Sequence, residues 1–382
     1  MKIKKHKKIK LFGENITNTA DLNHGIHGYP AKFPPQIPEK ILQEFGHENY
    51  TIFDPFCGSG TTLVEAKFKN MDSIGNDINP IALLIADVKT TNYSESDLMY
   101  YSLIADNILN EYNAFGGNKS NFSPSINFHG KDHWFQNNVQ FELELIIKHI
   151  NYCEIEKVKK LLNVTLSDII VGVSNQESDT RYAAKQKNIK DGETITKFIK
   201  KASLLKKKVN SFSQITSNND SQVKIISNDA RNLLDVSDES IDLIITSPPY
   251  ANTYDYYLYH KHRMNWLGFN FKETQNSEIG SRHEYSSKKQ SAQKWVVDLQ
   301  QVINEMFRVL KSDRYVFIVI GDSVIAQELI HIDKIVNDLS TEIGFQVINI
   351  ESVPLSQNSR KFNKKFGTNQ TKFEHLIQLY KP

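Results

Sequence analysis

The stretch FDPFCGSGTT, residues 53–62, places an acid, a proline and a cysteine ahead of two glycines and two threonines. Residues 50–53 (YTIF) are β-branched or aromatic, and residues 63–66 (LVEA) contain good helix formers. The pattern therefore predicts a strand, a glycine loop and a helix. This order is typical of nucleotide-binding sites in α/β proteins.

The composition predicts a globular protein of the cytoplasm. The chain has 382 residues, of which 39% are hydrophobic, and no apolar run approaches the roughly 20 residues of a membrane span. The first ten residues, MKIKKHKKIK, lack the apolar stretch of a secretory signal. Cys57 and Cys153 are the two cysteines, too few and too far apart for a disulfide framework or a zinc cluster. No metal site and no membrane partner are predicted.

Charge gives a weaker indication of the partner. The net charge is only +2, but lysines cluster in residues 1–10, 197–208 and 360–372. Each cluster taken alone is explained equally well by a solvated surface. The three clusters together modestly favour a polyanionic partner.

The glycine loop also indicates the kind of ligand. It matches neither the GxGxxG pattern of dinucleotide sites nor the lysine-containing loop of triphosphate sites. A ligand with an adenosine but no phosphate fits better, and S-adenosylmethionine is such a ligand. Gly58 and Gly60 would let the backbone approach its amino-acid portion, and Asp54 would meet its amino group. A purely structural turn is the alternative.

Two further acids follow predicted strands. Residues 72–76 predict a short strand that ends at Asp77, about 20 residues beyond the loop, where a carboxylate can accept hydrogen bonds from ribose hydroxyls. Residues 223–226 (VKII) predict a third strand, after which Asp229 is placed to receive the adenine amino group.

The second decisive stretch is TSPPY, residues 246–250, directly after the apolar strand predicted at 241–245. Prolines fix φ and lack N–H groups, so the carbonyls of this turn can act as rigid acceptors without a competing donor. Hydrogen bonds from an exocyclic amine to Ser247 Oγ and the Pro248 carbonyl would make its nitrogen more nucleophilic. Tyr250 offers a flat face on which an extruded base can stack. A proline-rich structural turn is again the alternative.

These motifs resemble those of the amino-group DNA methyltransferases, which act on cytosine N4 or adenine N6. DPFCGSGTT resembles their cofactor loop, and TSPPY resembles the catalytic motif most associated with cytosine N4. Residues 24–42 (HGIHGYPAKFPPQIPEKIL) resemble the remaining cofactor segment, in which an aromatic, here Phe33, packs near the cofactor. The resemblance implies S-adenosylmethionine as cofactor, double-stranded DNA as partner, and base flipping before direct methyl transfer.

The site residues follow from the motifs and the resemblance together. The expected catalytic residues are Ser247, Pro248, Pro249 and Tyr250. The expected cofactor-binding residues are Phe33, Asp54, Pro55, Phe56, Cys57, Gly58, Ser59, Gly60, Thr61, Thr62, Asp77, Ile78, Asp229, Ala230 and Thr246. No covalent cysteine intermediate is needed, because an exocyclic nitrogen is itself a nucleophile, so Cys57 is interpreted as a packing residue of the loop.

The predicted architecture is α/β: a Rossmann-like, mostly parallel methyltransferase sheet with a closing antiparallel hairpin and a mainly helical insertion. Residues 315–325 (YVFIVIGDSVI) are expected as a central strand, and residues 344–350 with 374–380 as the hairpin. The catalytic domain is assigned to 1–90 and 216–382. Residues 91–215 form the insertion, which is a candidate DNA-contacting lobe.

Candidate DNA contacts lie in two stretches. SDTRYAAKQK, residues 178–187, mixes basic and aromatic residues and includes Arg181 and Lys185. A helix capped by Ser178 or Asp179 explains the same stretch without DNA and is slightly favoured. Residues 251–268, dense in Tyr, His, Lys and Arg, begin beside the expected base site and contribute Tyr254, Lys261 and Arg263. About half of the aromatics there should pack against the sheet.

Several alternatives remain open at this level. Adenine N6 is the nearest alternative substrate, RNA or a protein amide is more distant, and a DNA-binding subunit without catalysis is a different class of protein. A cognate restriction endonuclease is compatible with the resemblance, but no residue requires one. The recognition sequence and the oligomeric state are not indicated.

Overall fold

A computed structural model describes residues 6–10, 21–30, 34–115, 125–286, 290–355 and 371–382. The predicted Phe33 lies outside these residues. The strands are β1 (Thr51–Asp54), β2 (Asp72–Asn76), β3 (Gln176–Ser178), β4 (Arg181–Ala184), β5 (Val223–Ile226), β6 (Ile241–Thr246), β7 (Leu310–Gly321), β8 (Ser323–Ile325), β9 (Glu328–Ile330), β10 (Gln346–Pro354) and β11 (Phe373–Lys381). The helices are α1 (Gln36–Phe45), α2 (Thr61–Phe68), α3 (Pro80–Thr90), α4 (Glu95–Ala114), α5 (Lys131–Trp134), α6 (Asn137–Asn151), α7 (Glu156–Val173), α8 (Glu193–Ile215), α9 (Tyr256–Leu267), α10 (Phe271–Ser277), α11 (Arg282–Ser286), α12 (Ala292–Val309) and α13 (Ile332–Ile343).

Seven strands form one sheet in the order β10-β11-β7-β6-β1-β2-β5. Strands β5, β2, β1, β6 and β7 are parallel to one another, whereas β11 runs antiparallel to both β7 and β10. The parallel arrangement brings the carboxyl ends of β1, β2 and β6 to one edge of the sheet. This architecture confirms the predicted Rossmann-like sheet with its closing hairpin.

The sheet is covered on both faces because its central strands are apolar at successive positions. In β6, Leu243 and Ile245 pack in the core that contains α1, whereas Ile244 packs in the core that contains α12 and α13. The same alternation continues along β7. This two-sided burial explains the nearly continuous apolar runs in these strands.

The strand expected at 315–325 is only partly correct. β7 ends at Gly321, and β8 pairs with β9 in a separate two-stranded sheet. Between them the buried Asp322 carboxylate accepts hydrogen bonds from the backbone N–H groups of Ile332 and Phe373. These bonds hold the chain where it leaves the large sheet.

Residues 91–215 contain helices α4 to α8 and the hairpin β3-β4. Their apolar core also includes side chains of α3 and α9, among them Ile85 and Trp266, so the helices pack directly onto elements of the sheet domain. Among the described residues, no helix combines the length and apolar character that a membrane crossing requires.

The helix expected to begin at Ser178 or Asp179 is wrong. These residues lie at the end and turn of an antiparallel hairpin in which Ser178 pairs with Arg181. Tyr182 packs against the rings of Trp134 and His262, at centroid distances of 4.7 and 5.2 Å. These contacts lie outside the local sequence and stabilise the extended conformation.

Candidate active site

A cleft opens where β1, β2 and β6 end, which is where ligands bind in open α/β sheets. It encloses about 870 Å³, including its mouth, within the usual range of small-ligand sites. Its lining includes these predicted site residues: Asp54, Pro55, Phe56, Cys57, Gly58, Ser59, Thr61, Asp77, Ile78, Asp229, Ala230, Ser247 and Pro249. The structure thus brings together residues from the glycine loop, the two strand-end acids and the TSPPY turn.

The glycine loop has the backbone that its sequence requires. Gly58 and Gly60 have φ values of 48° and 80°, in the left-handed region that favours glycine. Gly60 precedes the first residue of α2, and a Cβ at this position would lie 2.9 Å from the Ala86 Cβ. The loop is therefore held against α3 as well as turned into α2. Gly60 is one of the predicted residues that support the cleft without lining it.

Asp54 connects three parts of the site. Its carboxylate accepts hydrogen bonds from Thr62 Oγ1 at 2.8 Å, Thr246 Oγ1 at 2.7 Å and the Phe56 N–H at 3.1 Å. Burial raises its pKa to about 6, although these hydrogen bonds oppose the shift. Thr62 and Thr246 thus act through Asp54 and do not line the cleft. A carboxylate has about four acceptor positions, so a further donor from a ligand can still be accepted.

Asp77 organises the loop from the end of β2. Its two oxygens accept the N–H groups of Gly58 and Asn79, each at 2.9 Å. Burial raises its pKa to about 6. The predicted ribose-binding acid therefore lines the cleft and also holds the glycine loop.

Asp229 lies on the cleft wall beside Arg231. Burial would raise its pKa, but hydrogen bonds from the Arg231 guanidinium, the shortest at 2.6 Å, hold it below the ordinary value. Arg231 also donates to Asp298 at 2.8 Å. Asp229 is consequently an ionised, oriented acceptor, and its contact with adenine remains a prediction.

The TSPPY turn is fixed by contacts on both sides. Ser247 and Pro249 line the cleft, and Trp295 Nε1 donates to the Pro249 carbonyl at 3.4 Å. Tyr250 donates its hydroxyl to Glu374 at 3.0 Å, and a Cβ on Gly321 would lie 2.8 Å from the tyrosine ring. Neither Tyr250 nor the buried Pro248 is among the described residues that line this cleft. Base stacking on Tyr250 therefore remains a prediction.

The sequence did not predict the outer wall of the cleft. This wall includes Tyr29, Tyr256 and Glu278. Tyr29 stacks on His260 with a centroid distance of 4.9 Å and lies parallel to Tyr256 at 6.2 Å. Tyr256 belongs to the aromatic-rich stretch 251–268, and Tyr29 belongs to the segment 24–42 that resembles a cofactor segment, but no local pattern distinguishes either residue as a wall of the cleft.

Glu278 is the least expected member of this wall. Its carboxylate accepts the N–H groups of Tyr256 at 2.8 Å and Tyr257 at 3.0 Å, so it caps the start of α9 from the end of α10. Burial raises its pKa to about 8. No local motif signals this role, because the capping acid is 22 residues away from Tyr256.

The residues expected to contact DNA differ in their exposure to solvent. Arg181 and Lys185 are exposed on the β3-β4 hairpin, and Tyr254 is half-buried beside Tyr256. Lys261 is also half-buried, with its ammonium 4.6 Å from the centre of the Phe271 ring.

Arg263 is wrongly predicted as a DNA contact. It is 1% exposed, and its guanidinium donates to the Ser167 carbonyl and to Asp179. Because the guanidinium is buried and hydrogen-bonded to these partners, Arg263 is a structural residue of α9.

Comparison with known proteins agrees with this site. The family described as DNA methylase, N6_N4_Mtase, matches residues 2–87 and 241–380, more than half of the chain. The chain is 25% identical over 376 residues to the Type II methyltransferase M.MvaI of Kocuria varians, covering 85% of this chain and 82% of that protein. It is 26% identical over 389 residues to the Type II methyltransferase M.MjaII of Methanocaldococcus jannaschii, covering 78% and 72%.

A solved S-adenosylmethionine-dependent methyltransferase from Methanosarcina mazei aligns over 93% of this chain and 98% of its own, at 12% identity and a TM-score of 0.35. The family match, by contrast, includes both the glycine loop and the TSPPY turn. It confirms the predictions of S-adenosylmethionine as cofactor and of DNA as substrate. The chain belongs to the N6/N4 DNA methylase family and is an S-adenosylmethionine-dependent DNA methyltransferase.

Proposed function

We propose that the protein transfers a methyl group from S-adenosylmethionine to the N4 amino group of cytosine in duplex DNA. The supporting observation is that Ser247 and Pro249 of a TSPPY turn line the same cleft as Asp54 and Asp77. The leading Thr246-Ser247 pair resembles the turn most associated with cytosine N4.

The residues of the cleft fit the cofactor. Asp77 would accept hydrogen bonds from the ribose, and Asp229 would accept the adenine amino group. Gly58 leaves room beside the loop for the amino-acid portion, whose ammonium group would meet Asp54. When bound, S-adenosylmethionine supplies an electrophilic methyl group on a cationic sulfur.

The TSPPY turn performs the remaining chemistry. Ser247 Oγ and the Pro248 carbonyl accept hydrogen bonds from the target amine, which localises the lone pair on its nitrogen. The nitrogen forms a bond to the methyl carbon as the carbon–sulfur bond breaks, and one N–H proton leaves. Ser247 is a weak base by itself, so solvent takes that proton.

We further propose that different segments of the chain have different roles. Residues 1–90 and 216–382 form the catalytic domain, and residues 91–215 form a helical insertion that contacts DNA. A cognate restriction endonuclease would be the biological partner, as the Type II relatives suggest, and a DNA substrate would place the protein in the cytoplasm.

The test is incubation of the purified protein with isotopically labelled S-adenosylmethionine and mixed-sequence duplex DNA, followed by nucleoside mass spectrometry. We expect labelled N4-methylcytosine from the parent protein and none from Ser247→Ala. A product of N6-methyladenine would instead assign the adenine reaction. Methylation of RNA or protein alone, or cofactor binding without any product, would reject the proposal.

A further inference from the structure

The turn of the hairpin β3-β4 contacts the segment that carries Tyr29 of the cleft wall. Asp179 in its turn is held by the buried Arg263 of α9. The Asp179 carboxylate lies 3.8 Å from the position that a Cβ on Gly28 would occupy. Tyr29, which follows Gly28 in the chain, lines the cleft. The hairpin turn therefore adjoins the segment that carries this part of the cleft wall.

The base of the hairpin is firmly anchored. Asn175, which precedes β3, donates from its N–H to the Trp134 carbonyl at 2.8 Å and from its side chain to the His133 carbonyl at 3.0 Å. It also accepts the N–H groups of Lys185 at 2.7 Å and Lys187 at 3.1 Å. With Tyr182 packed on Trp134, these bonds orient the strands before any partner arrives.

The outer surface of the hairpin carries hydrogen-bond donors. The Arg181 side chain is 70% exposed, and Lys185 and Gln186 are exposed as well. The acids nearby are already engaged: Asp179 pairs with Arg263, and Glu177 pairs with Arg181 at 3.1 Å. The second pair is exposed and therefore opens at little cost.

We propose that the β3-β4 hairpin enters the major groove and reads the sequence beside the target base, with Arg181 as the principal base contact. A two-stranded ribbon has the width that this groove admits, and arginine is the side chain that most often reads guanine there. The inference rests on the proposed function, because the groove is located from a base held in the cleft.

The structure also limits which base pairs the hairpin reaches. Along α9, the seven helical steps from Tyr256 in the cleft wall to Arg263, which binds the hairpin turn, rise roughly 10 Å. This length equals about three base-pair steps of B-DNA. We therefore expect Arg181 to specify a base pair close to the methylated base.

The experiment has two parts. Plasmid from cells that express each variant is sequenced by a method that detects modified bases, and duplex binding to the purified proteins is measured over a range of salt concentrations. The variants are Arg181→Ala, Lys185→Ala and Glu177→Gln. Lys334→Ala, at an exposed lysine on α13 outside the insertion and the lysine clusters, is the matched control.

We expect Arg181→Ala to relax the methylated sequence at one position near the target base and to weaken binding of the cognate duplex about tenfold or more. Lys185→Ala should weaken all duplexes alike and reduce the salt dependence by about one ion. Glu177→Gln should bind DNA at least as tightly as the parent, and Lys334→Ala should match the parent. Cofactor affinity and melting temperature should be unchanged in all four variants.

An Arg181→Ala protein with the parent's methylated sequence and DNA affinity would overturn the hairpin proposal while leaving the methylation reaction intact. Loss of cofactor affinity in the same variant would also overturn it, because the residue would then act through the fold. If the parent makes adenine N6 products and Arg181→Ala still relaxes the sequence, the hairpin proposal stands and the cytosine assignment fails. A parent that neither binds nor methylates duplex DNA would reject both.

Discussion

At the scale of single residues, the cleft holds two buried carboxyl groups, Asp54 and Glu278, and a third, Asp77, that is partly buried in its wall. Burial raises the pKa of Asp54 and of Asp77 to about 6 and that of Glu278 to about 8. Raised values mean that each negative charge is costly in the protein alone. A cationic ligand lowers that cost, so we expect these acids to favour a sulfonium ligand over a neutral one.

Glu278 makes the free energy of unfolding depend on pH. Its pKa rises from 4.5 to about 8 on folding, so between these values the native carboxyl keeps a proton that the unfolded one loses. Stability from this group is therefore complete at low pH and falls, by at most about 1.4 kcal/mol per pH unit, as pH rises toward 8. Glu278→Gln should lack this loss, because its side chain stays neutral.

We expect urea unfolding of the cofactor-free protein to show Glu278→Gln gaining stability relative to the parent from about pH 5 to about pH 8. Glu273→Gln, on the exposed side of α10, is the control and should follow the parent at every pH. Parallel profiles for the parent and Glu278→Gln would show that Glu278 titrates normally.

Replacement of Asp77 should weaken cofactor binding without weakening DNA binding. Asp77→Ala removes the proposed ribose acceptor and the carboxylate that holds the Gly58 N–H, so cofactor affinity should fall about 10- to 100-fold. Duplex binding should stay near the parent value. Calorimetric titration with S-adenosylmethionine checks this, with the exposed Asp106→Ala as control. Unchanged cofactor affinity in Asp77→Ala would contradict the ribose assignment.

At the scale of elements, the glycine loop determines how α2 and α3 pack. Gly60→Ala would force a residue with a Cβ to keep a φ of 80° and to contact Ala86 at 2.9 Å. We expect a loss of about 1–3 kcal/mol in unfolding free energy, together with weaker cofactor binding. Thermal and urea unfolding measure the loss.

Gly172→Ala is the matched control for this prediction. Gly172 lies within α7, and no atom lies within 4 Å of the Cβ that would be added. Since alanine favours helix over glycine, this variant should be unchanged or up to about 1 kcal/mol more stable. Equal effects of the two substitutions would argue against the loop-strain explanation.

Elements also differ in how well their local sequences predict them. The strand, loop and helix around Gly60 follow from residues within a few positions of one another, and the structure agrees. The β3-β4 hairpin does not, because Tyr182 meets Trp134 and His262 from distant parts of the chain. Tertiary packing there overrides a stretch that was compatible with a capped helix.

At the scale of the whole molecule, the helical insertion and the sheet domain share a core. Ile85 of α3 is fully buried among the helices of the insertion, as is Met264 of α9. Residues 21–30 add a strap, in which His24 contacts Glu65 of α2 and His27 contacts Ser167 of α7, at 2.7 and 3.0 Å. The two parts should therefore unfold as one unit.

Ile85→Ala tests this cooperativity. We expect it to cost about 2–5 kcal/mol and to shift one common urea transition, seen alike by circular dichroism and tryptophan fluorescence. Trp266 reports on the helical core and Trp295 on the sheet core. Leu234→Ala, at a residue that is 79% exposed, should change stability by less than about 0.5 kcal/mol. Separate transitions for the two signals would indicate independent domains.

The sequence by itself determined the α/β class, the cofactor loop and the TSPPY turn, and it indicated the family. These features depend on left-handed glycines, on prolines without N–H groups and on acids at strand ends, which are properties of short segments. Sequence alone therefore predicts that Asp54, Asp77 and Ser247 share one site.

Only the tertiary structure decided the outer wall of the cleft and the nature of the candidate DNA contacts. Glu278 caps α9 across 22 residues, and Arg263 reaches Asp179 across 84. Whether an arginine is exposed or buried, and whether a carboxylate keeps its proton, depends on neighbours that only the folded chain brings together. Burial and pairing of this kind are absent from local sequence patterns, because they arise from contacts between distant elements.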